Sequence, residues 1–290
     1  MGGNTGLTPE QLAKMAQAAA QYQFKHVEVP DKTRVAKKAP LEVFPASTNT
    51  DKAKGLELQQ SQTSNVDPEK LRIAKKSILY IMDNDKACRN IDKQAQAERI
   101  ARIALDVGVQ PEVIGAIIKQ ETHFSTTAAD MNKGNGVGPM QVTNINIRDM
   151  YIRPEAYDPE IKRLIGPKDK PYKSFAEALK AKLKDPHVDL GAFGNKFFEF
   201  YKQNQVLFDK YNGSTSNVPK NVKDTYMETL TNYDMNVYLG CWIYKSKLRG
   251  HSEKQAIINY NGSSLKYKYE VAVSDTIRNT RSNVPEVKYL

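Results

Sequence analysis

One glutamate in this sequence sits where a carboxylate is costly to ionise. The segment Pro111-Glu-Val-Ile-Gly-Ala-Ile-Ile-Lys-Gln-Glu121 has the pattern of a helix, with apolar residues at Val113, Ile114, Ile117 and Ile118. Glu121 lies seven residues after Ile114, four after Ile117 and three after Ile118, so it falls on the same stripe. Burial disfavours the charged form of a carboxyl and raises its pKa, which is what a general acid needs near neutral pH. The stripe alone leaves a second reading open, a helix-end glutamate that bends to solvent or pairs with a lysine. A glycine-rich run follows at Gly134, Gly136 and Gly138, suited to sharp turns and close approach of a ligand to backbone. It is no phosphate loop, because no Lys-Ser/Thr pair follows it and no strand precedes it. Met140 and Gln141 are expected to open the next helix. Asp130 is the nearest other carboxylate in the loop, and His123 lies two residues past Glu121.

The elements that must position these groups read as helices. Thr8 and Pro9 start a short Ala-rich helix over 8–23. From about residue 23 to 65 the chain is polar and broken by Pro30, Pro40 and Pro45, an extended arm or linker. Asp67-Pro68-Glu69 starts a helix with an apolar face, a second runs over 93–107 and stops at Gly108, and a third runs from Pro111 to about Phe124. Further helices are expected over 174–184, 193–209, 232–249, 252–259 and 267–278. Strand-like alternation is scarce. The fold class is mainly α, with residues 1–66 forming a short helix plus extended polar arm and 67–290 forming the main domain.

Bulk composition sets limits. With 40% hydrophobic and 26% charged residues, the chain of 290 residues can fill a globular core. The formal charge of +10, from 43 basic and 33 acidic side chains, suits any polyanion. No compact Lys/Arg block or binding motif selects nucleic acid, so no specific nucleic-acid partner is expected. There is no apolar run long enough for a transmembrane helix and no signal-peptide core near Met1. The four histidines and the two cysteines, Cys88 and Cys241, show no metal-ligand spacing, so no metal or cofactor is expected. Whether the two cysteines pair stays open.

Five motifs in order resemble the soluble lytic transglycosylases of the lysozyme-like superfamily. Glu121, Phe124 and Ala128, followed by Gly136-Val-Gly138-Pro-Met140-Gln141, resemble that family's catalytic Glu-Ser motif and Gly-x-Gly-Leu-Met-Gln turn. Asn236 through Gly240 resembles its Asn-x-x-x-Gly helix, and Tyr260-Asn261-Gly262 its Tyr-Asn-x-Gly motif. Tyr269 with Val273 resembles a late Tyr-x-x-x-Val motif, although Tyr267 with Val271 has the same spacing. Thr122 departs from the usual Ser but keeps a hydroxyl, and the loop before Gly136 is longer than usual. The resemblance covers about 98–143 and 232–280 and leaves 144–230 as an insertion.

The resemblance implies a lysozyme-like helical catalytic domain that cleaves peptidoglycan glycan strands. Glu121 would protonate the oxygen between N-acetylmuramic acid and N-acetylglucosamine, then deprotonate the muramoyl C6 hydroxyl to close a 1,6-anhydro ring. Thr122, Met140, Gln141, Tyr260, Asn261 and Tyr269 would hold substrate. A goose-type lysozyme-like hydrolase of the same bond and a structural or assembly protein with a degenerate domain of this type are the alternatives. The expected place of action is the bacterial periplasm or cell wall, reached as a virion component or as an exported protein with its signal removed. The N-terminal arm would then dock other virion or envelope-machine proteins.

Overall fold

The chain divides into Met1–Gln59 and Gln60–Leu290. The computed structural model describes residues 66–88, 92–125, 136–211, 227–262 and 265–290. The expected N-terminal helix and polar arm lie outside the described residues, as do Ala128, Asp130 and Gly134.

The protein is mainly α. Three helices open the second unit: α1 (Pro68–Asp83), α2 (Lys93–Val107) and α3 (Pro111–Thr122). Their boundaries follow local chemistry. The carboxylates of Asp67 and Asp92 accept backbone N–H groups at the starts of α1 and α2, and Gly108 ends α2 in the left-handed conformation. Every residue from Pro111 to Ile118 is buried, so α3 is apolar around its whole circumference and packs as a central helix. Its contacts are chiefly with α1 and with the late helix α11 (Lys266–Asn283). Gly115 permits the approach of α1, because a Cβ there would meet the δ-carbons of Ile78 and Ile81 at 2.7 and 2.9 Å.

A short antiparallel hairpin follows, β1 (Gly136–Val137) and β2 (Val142–Thr143). The expected helix opening at Met140 and Gln141 is therefore corrected: both residues lie in the hairpin turn, and helix α4 (Asn144–Ile152) starts after them. Thr143 caps α4, exchanging bonds with Asn146 in a capping box.

Residues 144–211 add α4, two short 3-10 turns, α5 (Phe175–Lys184), α6 (Gly191–Gln203) and α7 (Gln205–Tyr211). The single helix expected over 193–209 is two, divided at Asn204, whose side-chain amide donates to Phe200 O. Helices α8 (Met227–Leu230), α9 (Tyr233–Leu248) and α10 (Glu253–Tyr260) lead to α11. Like α3, helix α9 is buried on all sides from Met235 to Tyr244.

The described residues of the segment that the family resemblance leaves as an insertion share one hydrophobic core with α3 and α9. Phe193 stands edge-on to Trp242 of α9 at 5.3 Å and lies 5.6 Å from Phe197, which in turn stands 5.9 Å from Phe208. Arg249, just past α9, donates to the carbonyls of Glu155, Ala156 and Tyr157. Replacement of Phe193 by Ala is expected to cost about 3–5 kcal/mol through the cavity it leaves. Urea unfolding should then show one transition at a lower midpoint. A separate early transition, with the rest of the protein unaffected, would mean that 144–211 folds as an independent unit.

Candidate active site around Glu121

Helix α3 delivers Glu121 at its last turn, and the chain then reverses sharply. His123 and Phe124 both take positive φ, 52° and 58°, and Phe124 is fully buried. The imidazole Nδ1 of His123 lies 3.1 Å from Oδ2 of Asp85, a carboxylate almost closed to solvent. The buried Thr122 hydroxyl lies 3.2 Å from Pro139 O and 3.3 Å from Ile118 O. Thr122 thus ties the end of α3 to the hairpin turn. Its one hydroxyl hydrogen faces backbone carbonyls in the interior.

The turn Gly138-Pro-Met-Gln141 takes positive φ at both ends, freely at the glycine and under strain at Gln141. Gly138 has φ 81° and Gln141 φ 49°. Gln141 stabilises the turn twice, donating its backbone N–H at 3.0 Å and its side-chain amide at 2.9 Å to Gly138 O. A Cβ on Gly138 would overlap the Asn236 side chain, and one on Gly240 would sit 2.7 Å from Met140 Cβ.

Helix α9 clamps the turn from behind. Asn236 is fully buried; its amide donates to Val137 O at 2.7 Å and Leu230 O at 3.1 Å, and its oxygen accepts the Met140 N–H at 3.0 Å. From the other side, the Tyr260 hydroxyl donates to Met140 O at 2.7 Å. Met140 is 1% exposed and packs over Gly240. Tyr260 commits its hydroxyl hydrogen to the turn.

Glu121 is half-buried in this surround, and burial pushes its carboxyl up to about 7. The Tyr269 hydroxyl faces it and partly offsets the rise, close enough to act on its charge though outside strict hydrogen-bond geometry. Burial and then the negative charge of Glu121 hold the hydroxyls of Tyr260 and Tyr269 well above the usual tyrosine range. No other charged group among the described residues acts appreciably on Glu121. The two candidate tyrosines of the late motif are now distinguished. Tyr269 and Val273 are buried, 6% and 0% exposed, while Tyr267 and Val271 face solvent at 63% and 55%.

The structure therefore brings Glu121, Met140, Gln141, Tyr260 and Tyr269 together, with Thr122 behind them. Asn261 lines a groove with Lys247 and Lys266 that Glu121 does not line. The pairing of His123 with Asp85 was not foreseen, since nothing near Asp85 in the sequence marks it. Among the described residues, no group of three or more His, Cys, Asp or Glu side chains could hold a metal ion, and no helix is long and apolar enough to cross a membrane. Cys88 and Cys241 are free thiols.

Comparison of the chain with family models, curated proteins and solved structures finds no match.

The raised pKa makes Glu121 a pH-dependent burden on stability. Between 4.5, the ordinary glutamate value, and about 7, the folded state keeps a proton that the unfolded chain has released. Stability therefore falls as pH rises through that window. Glu121→Gln removes the burden. Its stability advantage over the parent should grow by about 2–3 kcal/mol between about pH 4 and pH 8. Paired urea titrations across that range check this; an advantage independent of pH would contradict it.

Proposed function

We propose that this protein is a peptidoglycan lytic transglycosylase with Glu121 as its catalytic acid and base. One observation carries the reading: a carboxyl raised to about 7 by burial, with no second carboxylate acting on it among the described residues, stands with the Gly-x-Gly turn and the late tyrosine that the resemblance to soluble lytic transglycosylases pairs with such an acid. Those motifs are far apart in sequence, and nothing in helical periodicity requires them to meet.

The chemistry follows from that proton. Glu121 donates it to the glycosidic oxygen between N-acetylmuramic acid and N-acetylglucosamine, and the C1–O bond breaks. The substrate's own acetamido group stabilises the positive charge that develops at C1. The Glu121 carboxylate then takes the proton of the muramoyl C6 hydroxyl, whose oxygen bonds to C1 and closes the 1,6-anhydro ring. Atoms and charge balance without water, and the acid is regenerated. Glycosidases that use water or a covalent intermediate canonically place a second carboxylate opposite the acid. Helix α3, the hairpin and the α10–α11 region would form the lysozyme-like catalytic body, acting on the bacterial cell wall from a virion or after export.

A hydrolase of the same bond is the second reading. It draws on His123, which Asp85 holds two residues beyond the acid, where an imidazole could activate water. The products separate the two. Glu121→Gln is expected to reduce peptidoglycan cleavage roughly 10²–10⁴-fold, the usual contribution of a general acid. Mass spectrometry of the parent's digest should show 1,6-anhydro-muramoyl ends. Reducing ends in their place would give the bond to water, and an undiminished Glu121→Gln would remove the acid assignment.

A further inference from the structure

A second groove lies where α9, α10 and α11 meet, with a volume of about 430 Å³. Its charged and polar lining includes Lys247, His251, Asn259, Asn261 and Lys266, over the buried Ile258. Among the described residues, no carboxylate lines it. The acids on the surrounding helices are already engaged: Glu253 by Arg281 at 2.7 Å, and the buried Glu270 by Ser274 at 2.7 Å and Lys254 at 3.7 Å. Neither Lys247 nor Lys266 forms an ion pair with a described residue, and α11 has no acidic residue in its first turn. Two lysines thus line one concave surface, Lys266 with its ammonium 5.5 Å from the Tyr267 ring centre, and no described residue there supplies a counter-charge. Such a surface favours an anion, and the amides of Asn259 and Asn261 add hydrogen bonds that a bare counter-ion does not use fully.

We propose that this groove binds the free carboxylate of a short acidic peptide. The choice of a peptide rests on the reading of Glu121 as a peptidoglycan-cleaving acid, because the muramoyl sugar carries an acidic peptide stem. Asn261, which lines the groove, directly follows Tyr260, whose hydroxyl holds Met140. On that reading the groove would select strands that carry peptides over stripped ones.

Calorimetric titration of the full chain with a synthetic tetrapeptide bearing two free carboxylates tests this. Lys247→Ala/Lys266→Ala is expected to weaken binding roughly ten-fold or more, the scale of losing charge-assisted hydrogen bonds. Lys162→Ala/Lys170→Ala removes the same charge at exposed positions elsewhere and should bind like the parent. Capping the peptide carboxylates as amides should abolish binding. Equal binding by both double variants, or no saturable binding by the parent at millimolar peptide, would overturn the proposal. Saturable binding of inorganic phosphate without binding of the peptide would overturn the peptide assignment. The titration involves no turnover, so it stands apart from the test of Glu121. Loss of cleavage with peptide binding intact would count against the acid alone.

Discussion

The backbone N–H and C=O of Met140 are held from opposite sides, by Asn236 of α9 and by Tyr260 at the end of α10. These two bonds join parts of the chain separated by 96 and 120 residues. Each is worth only about 1 kcal/mol net, but either backbone group left unpaired in the interior would cost about 1–3 kcal/mol. That asymmetry fixes the turn. The turn then fixes the end of α3 through Thr122 and Pro139 O, and so the position of Glu121. Gly138 and Gly240 belong to the same constraint, since a side chain on either would push Asn236 or Met140 out of register.

Two glutamates on α3 show how surroundings assign different roles to one side chain. Glu112 stands at the start of the helix, is 1% exposed, and accepts two bonds from Arg281. Burial raises its pKa, while Arg281 and the positive end of the helix dipole favour its charged form. It ties α3 to α11 as an ion pair. Glu121 stands at the other end, where the dipole favours cations, and it has no cationic partner among the described residues. Burial therefore lifts its pKa to about 7.

Much of this was legible in the sequence because it is local. Caps and breakers such as Asp67, Asp92, Gly108 and Ser174 act on their own helix ends, and each boundary falls where its chemistry predicts. The helical phase of Glu121 was legible for the same reason. Roles set by distant partners were not. Thr122, Met140 and Tyr260 have side chains suited to touching a ligand, and only the fold shows them turned towards Pro139, Gly240 and Met140. The hairpin escaped notice because two-residue strands have no alternation to read, and because Gln141 takes a left-handed φ that its residue type does not announce. The choice between Tyr267 and Tyr269 depended on helix rotation, which their identical spacing to valine could not supply.

The central claim is that burial without a cationic partner among the described residues raises the Glu121 carboxyl to about 7, so that it holds its proton well above the ordinary glutamate range. The most direct measurement is a carbon-13 NMR titration of the side-chain carboxyls, with the Glu121 signal assigned by its loss in Glu121→Gln. The account predicts a midpoint near 7 for that signal. A midpoint near the ordinary glutamate value of 4.5 would contradict it.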